Sequence, residues 1–335
     1  MKYTTLGNTG IKVSQVCLGC MSFGEAGSMH AWTLNEKETE EMVKYALDLG
    51  INFFDTANTY SNGTSEEYLG KALKNLGVKR EDVVIASKVY FNEGRLSKEA
   101  IRREIEGTLK RLQTDYLDLY IIHRFDYDTP IEETMEALNE LVQEGKVRAI
   151  GASAMYGYQF YNMQLAARDH HWTPFSTMEN HYNLIYREDE KELIPICKQM
   201  NVSLMPYSPL AGGHLARNTW ESNTLRGRTD NVVHGKYDRL EKEDMEIVKR
   251  VDELAKKYNC KMSQIALAWH YAKGVASPIV GATKKQYIKD AVDALDIKLT
   301  DEDIAYLEEK YVPHPIVGAI NSNPPQGTVL LDEKK

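Results

Sequence analysis

The stretch Val83-Val84-Ile85-Ala86-Ser87 is apolar along nearly its whole length, and a second apolar run follows at Leu117–Ile122. Between these runs, Lys98–Leu112 carries apolar residues at helical spacing, among them Ile101 and Ile105. Strands buried on both faces read as short continuous apolar runs, whereas an amphipathic helix repeats its apolar residues every three or four positions. The segment therefore predicts a strand, a helix and a second strand parallel to the first.

The same alternation extends through most of the chain. The eight predicted strands are residues 16–18, 52–55, 83–87, 117–122, 149–152, 175–178, 202–206 and 277–280. The helices predicted between them are residues 36–49, 65–76, 98–112, 131–144, 158–168, 188–200 and 263–272. This repeat predicts an α/β fold in which a parallel sheet closes into a (β/α)8 TIM barrel.

Three parts of the chain lie outside the repeat. The segment Gly7-Asn8-Thr9-Gly10 separates two short runs and predicts an N-terminal β-hairpin. Residues 209–240 predict a long loop, followed by an extra amphipathic helix at 244–258 before the last repeat. The tail, from about 311 to 335, contains several prolines and predicts irregular structure. Nothing indicates a second domain, so residues 1–335 are expected to form a single barrel domain.

Composition argues against several classes of function. The formal net charge is −8, and no long run of Lys or Arg indicates nucleic-acid binding. No stretch reaches the roughly 18 apolar residues that span a membrane, and the N-terminus lacks a signal-peptide core, so we expect a cytoplasmic protein. Cys17 and Cys20 have the C-x-x-C spacing, but neither a helix pattern nor two further ligands accompany them. Reduced thiols and no metal site are therefore predicted.

Four polar residues stand near the ends of successive predicted strands. Asp55 ends the second run, Lys88 the third and His123 the fourth, while Tyr60 lies in the loop after Asp55. The carboxyl ends of barrel strands surround the active site, so these side chains should meet. A lysine stabilises the phenolate of a neighbouring tyrosine, and a carboxylate keeps that lysine charged. The group is therefore predicted to protonate a carbonyl oxygen, with His123 orienting the substrate.

Hydride for such a reaction must come from a cofactor, because protein side chains do not deliver it. No Gly-x-Gly-x-x-Gly motif follows a strand, so a Rossmann site is not indicated. Barrels instead hold phosphates at the loops after strands seven and eight. Here those loops are residues 207–213 and 281–285, which offer glycines, a hydroxyl and two ammonium groups. The alternative is that both loops are simple turns with solvated lysines.

The motifs at these strand ends resemble the aldo-keto reductase superfamily, over nearly the whole chain. The segment Asn52-Phe53-Phe54-Asp55-Thr56-Ala57-Asn58-Thr59-Tyr60 is similar to that family's first signature. The other matching segments are Ala86-Ser87-Lys88, Tyr120-Ile121-Ile122-His123, residues 145–153 and Tyr207-Ser208-Pro209-Leu210. His123-Arg124-Phe125-Asp126 is similar to the H-R-x-D segment of the bacterial and fungal branch.

The resemblance implies a carbonyl reductase that uses NADPH rather than NADH on a small-molecule substrate. Tyr60 would be the general acid, Asp55 and Lys88 would tune its pKa, and His123 would orient the carbonyl. The residues implied around the cofactor are Gly19, Met21, Asp55, Ser153, Glu179, Tyr207, Ser208, Pro209, Leu210, Gly212, Arg217, Arg226, Gly281, Thr283, Lys284, Tyr287, Asp290 and Ala291.

Within that set, the resemblance implies distinct roles. Tyr207 would stack on the nicotinamide, and Thr283 and Lys284 would face the adenosine 2′-phosphate. Arg217 and Arg226, in the long loop, would clamp the phosphates from outside.

Four positions depart from the family pattern. Ala154 stands where asparagine is common beside the nicotinamide carboxamide, and Glu179 stands where glutamine is usual. Tyr287 and Ala291 replace a glutamine and an asparagine near the adenosine. An ionised carboxylate at Glu179 would only accept hydrogen bonds. Its charge would also favour the oxidised, positively charged nicotinamide by on the order of 1 kcal/mol.

The substrate pocket is expected to include Trp32, Tyr90, Phe91, Arg124 and Tyr156. The aromatic side chains indicate a planar or apolar substrate. Arg124 indicates an anionic group on the substrate, unless it is a solvated loop residue. The oligomeric state is left open.

A second function remains compatible with the same fold. Potassium-channel β subunits resemble this family and act as partners of another protein, so a regulatory nicotinamide-binding subunit is the alternative. Fold alone does not separate the two, because function depends on the site.

Overall fold

The computed structural model describes residues 1–317, which form ten strands and twelve α-helices joined by turns. The strands are β1 (Tyr3–Thr5), β2 (Lys12–Ser14), β3 (Cys17–Gly19), β4 (Phe53–Asp55), β5 (Val84–Val89), β6 (Leu117–Ile122), β7 (Val147–Ser153), β8 (Thr177–Glu179), β9 (Ser203–Leu204) and β10 (Ile279–Gly281). The helices are α1 (Glu36–Asp48), α2 (Thr64–Asn75), α3 (Lys98–Leu112), α4 (Ile131–Gln143), α5 (Gly157–Asp169), α6 (Leu193–Gln199), α7 (Leu225–Thr229), α8 (Asn231–Tyr237), α9 (Glu241–Lys257), α10 (Met262–Ala272), α11 (Lys285–Asp293) and α12 (Asp301–Glu308).

Strands β3 to β10 form one parallel sheet in the order β10-β3-β4-β5-β6-β7-β8-β9. The two edges of this sheet meet, because the N–H groups of Ala276 and Ile279 donate to the carbonyl oxygens of Leu204 and Pro206, at 3.0 Å each. Helices connect successive strands and pack outside the sheet. The (β/α)8 TIM barrel predicted from the sequence is confirmed, with every predicted strand present.

Two apolar layers hold the barrel together. The larger layer lies between the strands and the outer helices. The smaller one fills the barrel interior and includes Phe53 and Val84 from the beginnings of β4 and β5. Leu6 and Val13 of the predicted hairpin, which pairs β1 with β2, belong to the same interior cluster. The hairpin therefore covers the amino-terminal end of the barrel, and the carboxyl end is left for the site.

The long connection at 209–240 is less irregular than the sequence suggests. It contains α7 and α8, which are capped by the side chains of Thr224 and Asp230. The extra helix predicted next is confirmed as α9. Two further helices, α11 and α12, follow the last strand where no helix is predicted.

Residues 311–317 contain neither helix nor strand, as predicted for the tail. Tyr311 Oη donates to Glu188 Oε1 at 2.7 Å, and the imidazole of His314 lies 3.1 Å from the carboxylate of Asp244. The rest of the predicted tail, and of the 1–335 span, lies outside the described residues. Within 1–317, no helix combines the length and the apolar character needed to cross a membrane.

Candidate active site

Side-chain alternation along the barrel strands directs two polar residues inward. In β4, Phe53 packs inside the barrel and Phe54 packs against the outer helices, so Asp55 faces inward. In β5, Ala86 is interior, and Lys88, two residues further along, faces the same way. Successive residues of a strand point to opposite faces, which produces this arrangement. Lys88 therefore lies within its strand rather than just beyond it.

Lys88 is the centre of the site. Its Nζ lies 2.5 Å from Asp55 Oδ2, and it donates to the carbonyl oxygen of Thr56 at 2.9 Å and to Tyr60 Oη at 3.3 Å. The Lys88 side chain is 0 % exposed and that of Asp55 is 2 % exposed. A buried ammonium is costly unless it is paired and hydrogen-bonded, and these three acceptors satisfy it. The structure therefore brings together the tyrosine, lysine and aspartate that the sequence grouped.

The charge of Lys88 is held by its carboxylate neighbours. Burial lowers the pKa of Lys88, but Asp55 and Glu179 raise it by more, so it stands well above its ordinary value. Burial raises the pKa of Tyr60 above its ordinary value, and the Lys88 charge opposes this effect. Tyr60 thus keeps its proton at neutral pH. It also lies beside a lasting positive charge that would stabilise its phenolate.

Glu179 ends β8 and brings a second carboxyl group to the same lysine. Its Oε2 lies 3.5 Å from Lys88 Nζ, farther than the Asp55 oxygen. Burial and the negative charge of Asp55 raise the pKa of Glu179 to about 8. The carboxyl group is therefore mostly protonated at neutral pH and can donate a hydrogen bond, as a glutamine can. The acceptor-only behaviour expected of an ionised Glu179 would then begin only above about pH 8.

A tight turn after β4 positions Tyr60. Ser61 and Asn62 have φ values of 48° and 54°, in the left-handed region that costs non-glycine residues about 1 kcal/mol or more. Ser61 Oγ donates to the carbonyl oxygen of Phe23 at 3.1 Å. Gly24 packs so closely that a Cβ there would lie 2.4 Å from Ser61 Cβ. This packing holds the turn and, with it, the tyrosine ring.

His123 follows β6 and completes the group. Its backbone N–H donates to the carbonyl oxygen of Val89 at 2.9 Å, and its ring meets that of Tyr60 edge-on, with 5.8 Å between centroids. Burial and the charges of Lys88 and Arg124 lower the pKa of His123 well below its ordinary value. The neutral ring has one N–H to donate, and Nδ1 has no hydrogen-bond partner within residues 1–317.

A cavity of about 1940 Å³ opens at the carboxyl ends of the barrel strands. Tyr60 and His123 line one part of it, and Lys88 lies behind them. The residues implied around the cofactor all line this cavity, namely Gly19, Met21, Asp55, Ser153, Glu179, Tyr207, Ser208, Pro209, Leu210, Gly212, Arg217, Arg226, Gly281, Thr283, Lys284, Tyr287, Asp290 and Ala291. Its lining runs from the catalytic group to α11, so one cavity spans both.

The lining of this cavity fits a nicotinamide dinucleotide. Asp55 Oδ1 and Glu179 Oε2 are buried atoms that accept no hydrogen bond within residues 1–317, so a group with N–H donors suits that end. Gly212 and Gly213 adopt positive φ values of 65° and 102° in the first phosphate loop. Lys284 immediately precedes α11, whose first N–H groups favour a negative charge.

Several of the predicted cofactor residues are engaged by protein neighbours, Arg217 and Asp290 among them. Arg217 donates to the carbonyl oxygens of Trp220 and Glu221, at 2.7 and 3.1 Å. The Asp290 carboxylate accepts from Lys261 Nζ with 2.8 Å to each oxygen. These side chains line the cavity, but a ligand would have to share or replace their present partners.

The predicted substrate pocket is partly correct. Trp32, Phe91 and Arg124 line the cavity, whereas Tyr90 and Tyr156 are not part of its lining. The ring of Tyr90 instead packs edge-on against Phe91, with 5.1 Å between centroids. Tyr156 precedes α5 and stacks on a tyrosine of that helix.

The segment expected to lie over the phosphates contains two helices and a lysine that the sequence analysis missed. Lys236 of α8 lines the cavity, with its ammonium 4.7 Å from the ring centre of Tyr207. Across the mouth, Arg226 Cζ lies 4.3 Å from the ring centre of Trp32. No sequence signal marked Lys236, because the path of residues 209–240 is not set by the barrel repeat.

The four cysteines are unpaired. Cys17 and Cys20 are fully buried, and burial raises the pKa of both thiols well above its ordinary value. Within the described residues, no group of three or more His, Cys, Asp or Glu side chains is placed to hold a metal ion.

Comparisons with known proteins agree with this geometry. The model of the aldo/keto reductase family matches residues 15–312. The chain belongs to the aldo/keto reductase family. Versiconal hemiacetal acetate reductase of Aspergillus parasiticus is 42% identical, over 94% of this chain and 98% of its own length. A Schizosaccharomyces pombe protein named as a candidate aryl-alcohol dehydrogenase is also 42% identical, over 95% of this chain and 98% of its own.

Among solved structures, this aldo/keto reductase is similar to a thermostable aldo-keto reductase in complex with the inhibitor epalrestat. The TM-score is 0.75 at 30% sequence identity, and the match covers 92% of this chain and all of that one. Membership of the family makes this protein an oxidoreductase of carbonyl compounds.

Proposed function

We propose that this aldo/keto reductase reduces an aldehyde or ketone to an alcohol, with NADPH as hydride donor and Tyr60 as proton donor. The observation that carries the proposal is the contact of Lys88 Nζ with both Asp55 and Tyr60 at one end of the cavity. His123 lies against the same tyrosine ring. The four side chains are arranged so that one proton can be held on Tyr60 and transferred to a substrate.

Bound NADPH would supply the hydride. Tyr60 gives its proton to the carbonyl oxygen, and the Lys88 ammonium stabilises the phenolate that remains. Asp55 holds the ammonium in place and keeps it charged. The neutral His123 ring donates its N–H to the same carbonyl oxygen and thereby orients the substrate.

Three features of the chain support NADPH rather than NADH. Thr283 and Lys284 line the cavity at the start of α11, where a phosphate group would meet a hydroxyl, an ammonium and backbone N–H groups. Lys261 lines the same part of the cavity, where a phosphate would have to share its ammonium with Asp290. A second phosphate on the adenosine would be stabilised by these cations, whereas an uncharged ribose hydroxyl would gain less from them.

An aromatic aldehyde is the substrate class that we favour. Trp32 and Phe91 line the cavity, and the Phe91 ring lies 5.0 Å from that of His123. Flat aromatic surfaces suit a flat substrate. One relative is named as a candidate aryl-alcohol dehydrogenase, which has the same implication.

The substitution Tyr60→Phe tests the proposal. It removes the proton donor and keeps the ring, so kcat for an aromatic aldehyde should fall by about 10²-fold to 10⁴-fold. The affinity for NADPH, measured by fluorescence titration, should change little. Stopped-flow measurement of NADPH oxidation would give the rate.

Tyr161→Phe is the matched control, because Tyr161 lies on the exposed side of α5. It should leave kcat and NADPH affinity unchanged. Undiminished turnover in Tyr60→Phe would contradict the proposed role. Tight NADPH binding by the wild type without reduction of any aldehyde would favour the regulatory subunit instead.

A further inference from the structure

Arg124 is a cation without an anionic partner in the substrate part of the cavity. Its Nε is buried and donates no hydrogen bond within residues 1–317. Its Cζ lies 4.8 Å from the centre of the Phe91 ring. Buried guanidinium groups are normally paired with carboxylates or other acceptors. An unpaired guanidinium that lines a cavity is therefore suited to binding a ligand.

Lys236 places a second cation in the same cavity. Burial lowers the pKa of Lys236 to about 8, and the charges of Arg124 and Arg226 act in the same direction. Asp230 opposes them, but its carboxylate is already paired with Arg226 at 3.2 Å and caps α8. Lys236 and Arg124 both line this cavity, and each adds a positive charge to its lining. A negative group placed there would relieve their repulsion.

Ring contacts connect Arg124 to the catalytic residues. The Tyr60 and His123 rings are 5.8 Å apart, and those of His123 and Phe91 are 5.0 Å apart. Arg124 contacts the same Phe91 ring, which is 45% exposed and forms an apolar part of the cavity wall. A flat ring packed on Phe91 can thus present one end to Tyr60 and His123 and the other end to Arg124.

The position of Arg124 in the barrel separates it from the cofactor phosphates. It follows β6, which in the sheet order lies opposite β10. The phosphate loops follow β9 and β10, on the far side of the barrel mouth. The anion that Arg124 is placed to bind is therefore part of the substrate.

We propose that Arg124, with Lys236 as a second cation, binds an anionic group of the substrate, so that the preferred substrate is an aromatic aldehyde carrying a carboxylate. This inference rests on the proposed reductase function. A guanidinium binds a carboxylate through two parallel hydrogen bonds, which would fix the ring orientation as well as add affinity.

The test compares 4-formylbenzoate with methyl 4-formylbenzoate, which has the same ring and aldehyde but no charge. Wild-type kcat/KM should be higher for the acid. Arg124→Met should lower kcat/KM for the acid by about 30-fold, chiefly through KM, and change that for the ester by less than about threefold. Arg124→Lys should restore part of the loss, and NADPH affinity should stay unchanged.

Lys236→Met provides a second variant on a different element, and it should lower kcat/KM for the acid alone by a smaller factor. Arg168→Met is the matched control, since Arg168 is a surface residue paired with Asp169. An equal loss for acid and ester in Arg124→Met, or a wild-type preference for the ester, would overturn the inference. A loss of NADPH affinity with unchanged discrimination would assign the cation to the cofactor and also overturn it.

A binding measurement separates this inference from the proposed function. Calorimetric titration of the NADP-loaded protein with 4-formylbenzoate and with its methyl ester requires no turnover, because the oxidised cofactor has no hydride to transfer to the aldehyde. If neither aldehyde consumes NADPH, the reductase proposal fails, yet tighter binding of the acid that is lost in Arg124→Met still supports an anion site. Equal binding of acid and ester would reject that site whatever the turnover.

Discussion

The protonation state of Glu179 depends on how strongly the Lys88 ammonium stabilises each of its two neighbouring carboxyl groups. Lys88 Nζ lies 2.5 Å from Asp55 and 3.5 Å from Glu179, so its charge chiefly compensates Asp55. With little water to solvate it, the second carboxyl group keeps its proton until about pH 8. A glutamate thus serves as a hydrogen-bond donor at neutral pH and becomes a charge in mild alkali.

This titration predicts a pH-dependent choice between the two forms of the cofactor. Above about pH 8, ionised Glu179 should favour oxidised over reduced nicotinamide, so the ratio of the two dissociation constants should shift toward the oxidised form between pH 7 and 9. In Glu179→Gln that ratio should stay flat. Fluorescence titration at each pH measures both constants, and the same pH dependence in the variant would rule out Glu179 as its source.

Stability provides a second readout of the same group. The pKa of Glu179 rises from an ordinary 4.5 to about 8 on folding. Between those values the folded protein holds a proton that the unfolded chain has lost, so the free energy of unfolding falls as the pH rises. The expected loss is on the order of a few kcal/mol across that window, and Glu179→Gln should remove it.

Ala154 shows what sequence comparison can and cannot give at a single residue. The family resemblance implies that an asparagine amide expected beside the nicotinamide is missing here. The structure adds that Ala154 has a φ of 48°, in the left-handed region. Asparagine tolerates that region better than alanine does, so the departure also carries a backbone cost. This conformational cost depends on the backbone conformation after β7, which the sequence pattern does not predict.

At the level of elements, the loop after β6 depends on one buried carboxylate. Asp126 accepts hydrogen bonds from the backbone N–H of Leu96 at 3.1 Å, from that of Asp128 at 3.0 Å and from Thr129 Oγ1 at 2.7 Å. Its side chain is 2 % exposed. The aspartate of the H-R-x-D segment therefore fixes the loop that carries Arg124.

Asp126→Ala should lower the free energy of unfolding by about 2 to 3 kcal/mol, because it leaves several buried donors without an acceptor. Urea denaturation measures the change. Asp128→Ala is the control in the same loop, since its exposed carboxylate contributes about 1 kcal/mol or less. Equal losses in the two variants would contradict the anchoring role of Asp126.

Lys284, just before α11, should distinguish the two cofactors. Lys284→Ala removes a cation that is placed to meet the adenosine phosphate, so the dissociation constant for NADPH should rise about tenfold while that for NADH is unchanged. Lys289→Ala, one turn further along and paired with Asp293, is the control. An equal loss of affinity for NADH would show that Lys284 does not bind the additional phosphate of NADPH.

Elements were predictable where the sequence carried a period or a cap. The barrel helices α1 to α6 and α10 have apolar faces and were found, whereas α11, after the last strand, was missed. Helices α7 and α8 are short, largely exposed and held by local caps. The helix α12 was missed although its signal was present. Thr300 and Asp303 form a reciprocal capping box, and the sequence Thr300-Asp301-Glu302-Asp303 has the spacing that predicts one.

For the molecule as a whole, the repeat of strands and helices determined the architecture and one half of the site. Residues at strand ends converge whatever the loops do, so Asp55, Lys88 and His123 could be grouped in advance. The cover formed by α7 and α8 could not be predicted, because the position of Lys236 depends on long-range packing such as the contact of Arg226 with Trp32. The residues proposed to carry the reaction could thus be predicted from the sequence, whereas most residues that would select the substrate could not.

The burial of three of the four cysteines has a kinetic consequence. An exposed thiolate reacts with a disulfide reagent, so half-buried Cys260 should react in the native protein. Cys17, Cys20 and Cys197 are buried and should react only after local or global unfolding exposes them. A ligand that binds only the closed form makes opening rarer, by about 100-fold at 100 times its dissociation constant. The rate of the slow thiols should therefore fall in proportion as NADPH is added, and an unchanged rate would show that these thiols become accessible without release of the cofactor. Thiol labelling would thus measure cofactor affinity before any substrate is known.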